Sequence, residues 1–136
     1  MKKNLHPRHA PCPCGSGLPY DECCRPWHMG LDQGEHAPTP EALMRSRYSA
    51  YALGLIDYLL ATWHVSTAPG ELELAPTKWL ELEVRNAQMA GDAGLVEFVA
   101  RYRVDGRGQR LHEISRFVRQ EGRWFYIDGQ MPDVRA

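Results

Sequence analysis

The four cysteines of this chain, Cys12, Cys14, Cys23 and Cys24, all fall within the stretch CPCGSGLPYDECC. Four soft thiolates crowded into so short a segment are the donor set of one tetrahedral Zn²⁺, each sulfur about 2.3 Å from the metal. Gly15 and Gly17 flank Ser16 just after the first pair, and a sharp turn there would aim backbone amides at the thiolates and disperse their charge. Two disulfides are the other use of such a set, but Cys23 and Cys24 are adjacent and Cys12 and Cys14 nearly so. Short segments of that kind pair only under strain. Free or redox-active thiols are the third use. With four sulfurs and no fifth candidate the centre is closed, hence structural rather than catalytic. The alternative puts His6 or His28 on the metal in place of one sulfur and leaves a cysteine reactive.

A second set of chemistry-bearing residues emerges from the pairing of strands. From Trp79 onward the pattern has a period of two: WLELEVRNAQM, LVEFVARYRV, QRLHEISRFVRQ and RWFYIDGQ are separated by GDAG, DGRG and Glu121-Gly122. This is the pattern of a four-stranded antiparallel meander, the first strand setting Leu80, Leu82 and Val84 against Glu81, Glu83 and Arg85. Residues opposite one another in a hairpin share a face. Placing Val104 opposite Gln109 sets Tyr102 against Leu111, Ala100 against Glu113 and Phe98 against Ser115. Placing Gln120 opposite Arg123 sets Phe117 against Tyr126, Ser115 against Asp128 and Glu113 against Gln130. The expected buried face then holds Val96, Phe98, Ala100, Tyr102, Leu111, Phe117 and Tyr126, with one polar cluster of Glu113, Ser115, Asp128 and Gln130. The other face collects Glu97, Arg101, Arg103, Arg110, His112 and Arg116. Two buried carboxylates are costly unless paired or protonated, and each raises the other's pKa, as a general acid or base requires. Glu113 and Asp128 are therefore the candidate catalytic residues, unless they sit at an open rim or pair with an arginine.

Thr39-Pro40-Glu41 supplies a capping hydroxyl, a proline at the first helical position and an acid in the first turn. Met44, Tyr48, Tyr51 and Leu55 follow at helical spacing, and Gly54 bends the segment before LIDYLLATWH continues it. Tyr48 and Tyr51 thereby join the expected pocket lining of Phe98, Tyr102, Glu113, Ser115, Phe117, Tyr126 and Asp128. Arg45 and Arg47 straddle the apolar stripe as solvated flanks, or one reaches inward as a counter-ion. Leu18 and Tyr20 are expected to pack over the metal. Helices first and an antiparallel sheet second give an α+β domain. The division is residues 1–30 for the metal knuckle, 31–39 for a turn-rich linker and 40–136 for the larger domain.

CPCGSG, Tyr20 and Cys23-Cys24 resemble the SEC-C motif, the zinc element best known from the C-terminal tail of the SecA translocase ATPase. That resemblance implies zinc ligation by all four cysteines and docking to a protein partner. Residues 40–64 and the meander resemble the cone-shaped nuclear transport factor 2-like (cystatin-like) fold. LMRSRYSAY, VEFVARY, HEISRF and WFYIDG together look like the YchJ-like bacterial proteins, which join the two parts and whose activity is uncharacterised.

Composition excludes other classes. The 136 residues are 43% hydrophobic and 24% charged with net charge −1, which leaves no basic field to announce nucleic acid. Within residues 1–30, Lys2, Lys3, Arg8 and Arg25 are offset by Asp21, Glu22 and the two negative charges of a Zn(Cys)₄ centre. No apolar run reaches the length of a membrane span. MKKNLHPRHAP carries no apolar export signal, so a reducing cytoplasmic setting is expected. The leading expectation is an adaptor whose zinc knuckle docks on a protein while the larger domain binds a small molecule or a second chain. The alternatives are a small-molecule enzyme, with Glu113 or Asp128 as base and Tyr48 or Tyr51 as hydrogen-bond donor, and an RNA-binding accessory protein. The arginine-rich outer sheet face favours a monomer.

Overall fold

The Thr39 hydroxyl accepts from the Ala42 amide at 3.1 Å and so caps a helix over Pro40–Leu53. It ends at Gly54, left-handed with φ of 75°, and a short helix over Ile56–Ala61 resumes beyond the bend. We label these α2 and α3, and the six-residue helix Arg25–Gly30 α1. The computed structural model describes residues 6–132; Lys2, Lys3 and the remainder of residues 1–5, together with residues 133–136, lie outside the described residues. The strands β1 (Lys78–Ala90), β2 (Ala93–Val104), β3 (Arg107–Gln120) and β4 (Arg123–Gln130) form one antiparallel sheet in that order. The helices pack on it, giving the expected α+β architecture. Within residues 31–39, Leu31–Gln33 forms a 3₁₀ turn and Ala37 is buried.

Register departs from the expected one in both hairpins for which one was derived, for identifiable reasons. The turn between β2 and β3 is two residues, Asp105-Gly106, with φ of 52° and 78°. A turn that is left-handed at both positions matches strand twist, and Asp-Gly is a favoured pair for it. Val104 therefore pairs with Arg107, Ala100 with Leu111 and Phe98 with Glu113. The slip of two residues keeps every side chain on its expected face. Between β3 and β4 the expected Gln120–Arg123 and Phe117–Tyr126 pairs hold, but Arg116 then pairs with Asp128, leaving Ile127 as a bulge residue. Beyond that bulge the faces of β4 exchange. A bulge at Leu80 likewise leaves that side chain 44% exposed, while Trp79 and Leu82 face inward opposite Tyr102 and Ala100.

The main core takes in the cysteines: Cys14, Cys24 and Tyr20 belong to the same buried cluster as Leu43, Met44, Phe98, Phe117 and Trp124, while Ala50, Tyr58 and Leu59 form a second, smaller one. Helix α2 is buried almost all round, including Ser46, Arg47 and Ser49 at 0%, 5% and 0% exposure. Its N-terminus rests on Gly94 of β2, where an added Cβ would run into the Pro40 ring. Gly94→Ala is expected to lower stability by about 1–3 kcal/mol in urea denaturation. Gly108→Ala, where a Cβ meets open space, should change it by less than about 0.5 kcal/mol.

Candidate functional site: a cysteine cluster and an adjoining pocket

Short backbone hydrogen bonds close the N-terminal loop on itself: Cys12 N–H to Leu18 O at 2.9 Å, Gly15 N–H to Cys12 O at 3.1 Å, and Tyr20 N–H to Ala10 O at 2.9 Å. Cys12 and Cys14 lie in this loop, Cys23 follows the 3₁₀ turn Tyr20–Glu22, and Cys24 is the residue before α1. The four sulfurs lie within 4.8 Å of one another, with Cys14 to Cys23 at 3.5 Å and Cys23 to Cys24 at 3.9 Å. A tetrahedron with metal–sulfur bonds of about 2.3 Å has edges of about 3.8 Å, so the cluster has the size of a tetrathiolate site. All four thiols are free, at separations well beyond a disulfide bond.

The electrostatics suit a bound cation. Hydrogen bonds from Cys12 and Cys24 drive the Cys14 thiol far below its ordinary range. Hydrogen bonding to Cys12 and Cys14 drives Cys24 far above it, and burial pushes Cys23 up to about 11. Left to itself the cluster concentrates its negative charge on one sulfur. A divalent soft metal ion is what lets four adjacent thiols ionise together, so the donor set fits one.

Surrounding groups support the sulfurs. The Ser49 hydroxyl of α2 lies 3.6 Å from Cys12 Sγ and 3.4 Å from Cys24 Sγ, and Ser16 Oγ lies 3.1 Å from Cys23 Sγ. Arg45 Nη1 donates to the Cys14 carbonyl at 3.0 Å, lies 4.0 Å from its sulfur, and is anchored by Glu41. Among the described residues the Gly15 amide goes to a carbonyl, so hydroxyls and a guanidinium do what backbone amides were expected to do. Leu18 does not cover the centre, being 47% exposed, whereas Tyr20 is buried beside it. Among the described residues neither histidine joins the sulfur cluster. His28 Nε2 donates to the Ser46 carbonyl at 2.8 Å, Nδ1 accepts from the Tyr20 hydroxyl at 2.7 Å, and burial pulls its pKa down to about 4. His6 Nε2 is engaged with the Pro11 carbonyl at 2.8 Å.

A pocket of about 260 Å³ opens between α2 and the sheet. The expected residues Tyr48, Tyr51, Phe98, Glu113, Ser115, Phe117 and Tyr126 line it. Asp128 does not: the bulge at Ile127 turns it to the outer face, where Arg116 holds it by two hydrogen bonds of 2.7 and 2.9 Å and keeps its pKa low. Gln130 is exposed, and Tyr102 lies against Trp79, 5.0 Å between ring centres, outside the lining. Glu113 is thus the pocket's single carboxylate among the described residues. Its Oε2 accepts from Ser115 Oγ at 2.7 Å and from Tyr126 O–H at 3.4 Å. It rests over Gly129, where a Cβ would overlap it. His112 lies on the outer face, 2.7 Å from Glu97.

The expected lining lacked five residues: Met44, Ala100 and Leu111, which were placed only on the apolar faces, Trp79, and Arg47, which takes the inward course that was the alternative to a solvated flank. Arg47 shares one helical face with Met44, Tyr48 and Tyr51, a spacing visible in the sequence. Its Nη1 donates to Leu59 O at 2.8 Å and Thr62 Oγ1 at 2.7 Å, and its guanidinium lies over the Tyr126 ring at 4.5 Å and the Trp63 ring at 5.0 Å. Trp79 was hidden by the bulge that follows it.

A family model described as the YchJ middle NTF2-like domain matches residues 39–129, and the SEC-C motif model matches residues 10–26. The chain belongs to the YchJ family. Curated YchJ-type relatives, named UPF0225 proteins, include one from Bordetella pertussis, 52% identical over 134 residues, covering 96% of this chain and 99% of its own. One from Methylibium petroleiphilum is 53% identical over 130 residues, covering 91% and 92%. The solution structure of a SEC-C motif containing protein from Rhodopseudomonas palustris superposes with TM-score 0.77 at 38% identity, over 91% of this chain and all of that one. The crystal structure of another, from Psychrobacter arcticus, gives 0.76 at 28% identity, covering 95% and 85%. No helix of the YchJ-family chain is long and apolar enough, among the described residues, to cross a membrane.

Because the cysteines belong to the main buried core with Leu43, Phe98 and Trp124, stripping a metal ion bound to them would be expected to destabilise that core. A chelator titration followed by the fluorescence of buried Trp124 reads this as one cooperative transition. Ser49→Ala should weaken metal retention by about 10–100-fold in competition with a chromogenic chelator.

Proposed function

We propose that the chain is a zinc-stabilised binding protein. Zn²⁺, held by Cys12, Cys14, Cys23 and Cys24, fastens the N-terminal segment to α2, and the pocket beneath α2 takes a compact, largely apolar molecule that hydrogen-bonds to Glu113. The observation that carries this reading is one carboxylate set over a glycine and oriented by Ser115 and Tyr126 in a pocket otherwise lined mainly by rings and aliphatic groups. Ligand sites have this composition: apolar walls with few, placed polar groups. The volume equals roughly nine waters of liquid, the scale of a single-ring compound. Acid–base catalysis by two carboxylates loses its footing once Asp128 lies on the other face.

A second reading retains docking to a protein. Leu18 and Met29, near the metal loop, are 47% and 46% exposed, apolar surface of the kind a partner covers. Loss of capture on Leu18→Asp/Met29→Asp, with zinc content unchanged, would support it.

The binding reading is tested by NMR with single-ring aromatic compounds and by metal analysis. One zinc per chain is expected, with methyl shifts confined to the pocket-lining Met44, Ala100 and Leu111. Leu111→Trp, which fills the pocket, should abolish them. Metal-free native protein, or no shift with any compound at millimolar concentration, would sink the proposal.

A further inference from the structure

Arg47 is a fully charged side chain at 5% exposure, and among the described residues it makes no ion pair. Nη1 spends both its hydrogens on Leu59 O and Thr62 Oγ1. The rest of the guanidinium is held against the faces of Trp63 and Tyr126 and makes no hydrogen bond among the described residues. Among the described residues Glu113 likewise makes no ion pair: its hydrogen bonds come from two hydroxyls, both to Oε2, and its charge reaches Arg47 only across the pocket. Both side chains line the same cavity and both touch Tyr126, Arg47 over its ring and Glu113 at its hydroxyl. Buried charges are ordinarily paired. Here a cation and an anion face one apolar space, each with unused hydrogen-bonding capacity, separated by a tyrosine ring.

From this we propose that the pocket selects a dipolar ligand, a small aminocarboxylic acid with an apolar or aromatic body, its carboxylate toward Arg47 and its ammonium toward Glu113. The inference rests on the reading of the pocket as a binding site. Charge balance decides the class. A ligand with only a carboxylate is attracted by Arg47 and repelled by Glu113, and one with only an ammonium meets the reverse. A molecule carrying both satisfies each group without adding net charge to a low-dielectric space. Trp79, Phe98 and Phe117 then cover its hydrocarbon part.

The experiment compares five probes on the zinc-loaded full chain by NMR titration. L-Phenylalanine carries its two charges side by side and 4-(aminomethyl)benzoate carries them at opposite ends. 3-Phenylpropionate has the anion alone, phenethylamine the cation alone, and benzyl alcohol neither. At least one dipolar probe is expected to bind tenfold or more tightly than every other class. Glu113→Gln should reduce that probe to the level of 3-phenylpropionate while leaving 3-phenylpropionate equal or stronger. Arg47→Met should do the same with respect to phenethylamine; should it fail to fold, the Glu113→Gln pattern alone decides. Equal or tighter binding of a singly charged or neutral probe overturns the dipolar assignment while leaving a binding pocket. Silence of all five probes overturns both.

Discussion

Four sulfurs within 4.8 Å of one another, buried in the core of a small protein, cannot share that space as four thiolates without a cation. This constraint organises the N-terminal half. The cluster needs compensating groups, and most come from α2: a hydroxyl between two sulfurs from Ser49 and a guanidinium at Cys14 from Arg45. A helix that supplies polar groups on that side must still bury Leu43 and Met44 against the sheet. Its third side holds α1 and α3, through the Ser46 carbonyl bonded to His28 and the Ser46 hydroxyl 2.7 Å from the Tyr58 hydroxyl. The position of α2, and with it the roof of the pocket, is fixed from three directions.

The parts legible in the sequence were those written locally. Cysteine spacing marked the thiol cluster, Thr39-Pro40 the start of α2, Gly54 its bend, and a period of two the strands. Register was less legible because it depends on counting. Reading DGRG as a four-residue turn when Asp105-Gly106 suffices displaces β3 by two, which preserves faces and so left the core prediction intact. A bulge is the opposite case. One extra residue at Ile127 reverses faces, and Asp128 moved from the pocket to an exposed ion pair. Nothing in RWFYIDGQ announces the bulge, since Tyr126, Ile127 and Asp128 alternate plausibly in either register. It is fixed by long-range contacts: Trp63 bridges to Tyr126, and Thr67 Oγ1 donates to Ile127 O at 2.7 Å.

The polar core of α2 was the least legible feature. Arg45-Ser46-Arg47-Tyr48-Ser49 reads as a solvated face because charged and hydroxyl residues are usually exposed. Burial reverses that expectation only where each polar group has an acceptor or donor waiting, and the partners come from segments distant in sequence: Cys14, His28, Leu59 and Thr62. Pattern alone cannot supply them. A helix wrapped on all sides has no single apolar stripe set against a polar one, so the contrast that normally orients a helix is absent where it was most needed.

Helical geometry explains how one short motif serves two sites. Successive residues advance by roughly 100°, so two residues apart lie roughly 200° apart around the axis. Arg45 and Arg47 therefore diverge, one to the sulfur cluster and one to the pocket, although they flank a single serine. Ser49 follows Arg45 by four residues and shares its side; Tyr51 follows Arg47 by four and shares the other, with Tyr48 between the two. The alternation that looks like solvent-facing polarity in one dimension is, on the helix, a division between the face that steadies the thiolates and the face that roofs the pocket. A side chain exchanged between those faces would leave composition untouched and remove either the counter-charge from Cys14 or the cation from the pocket, which is why residue order in this motif matters more than its content.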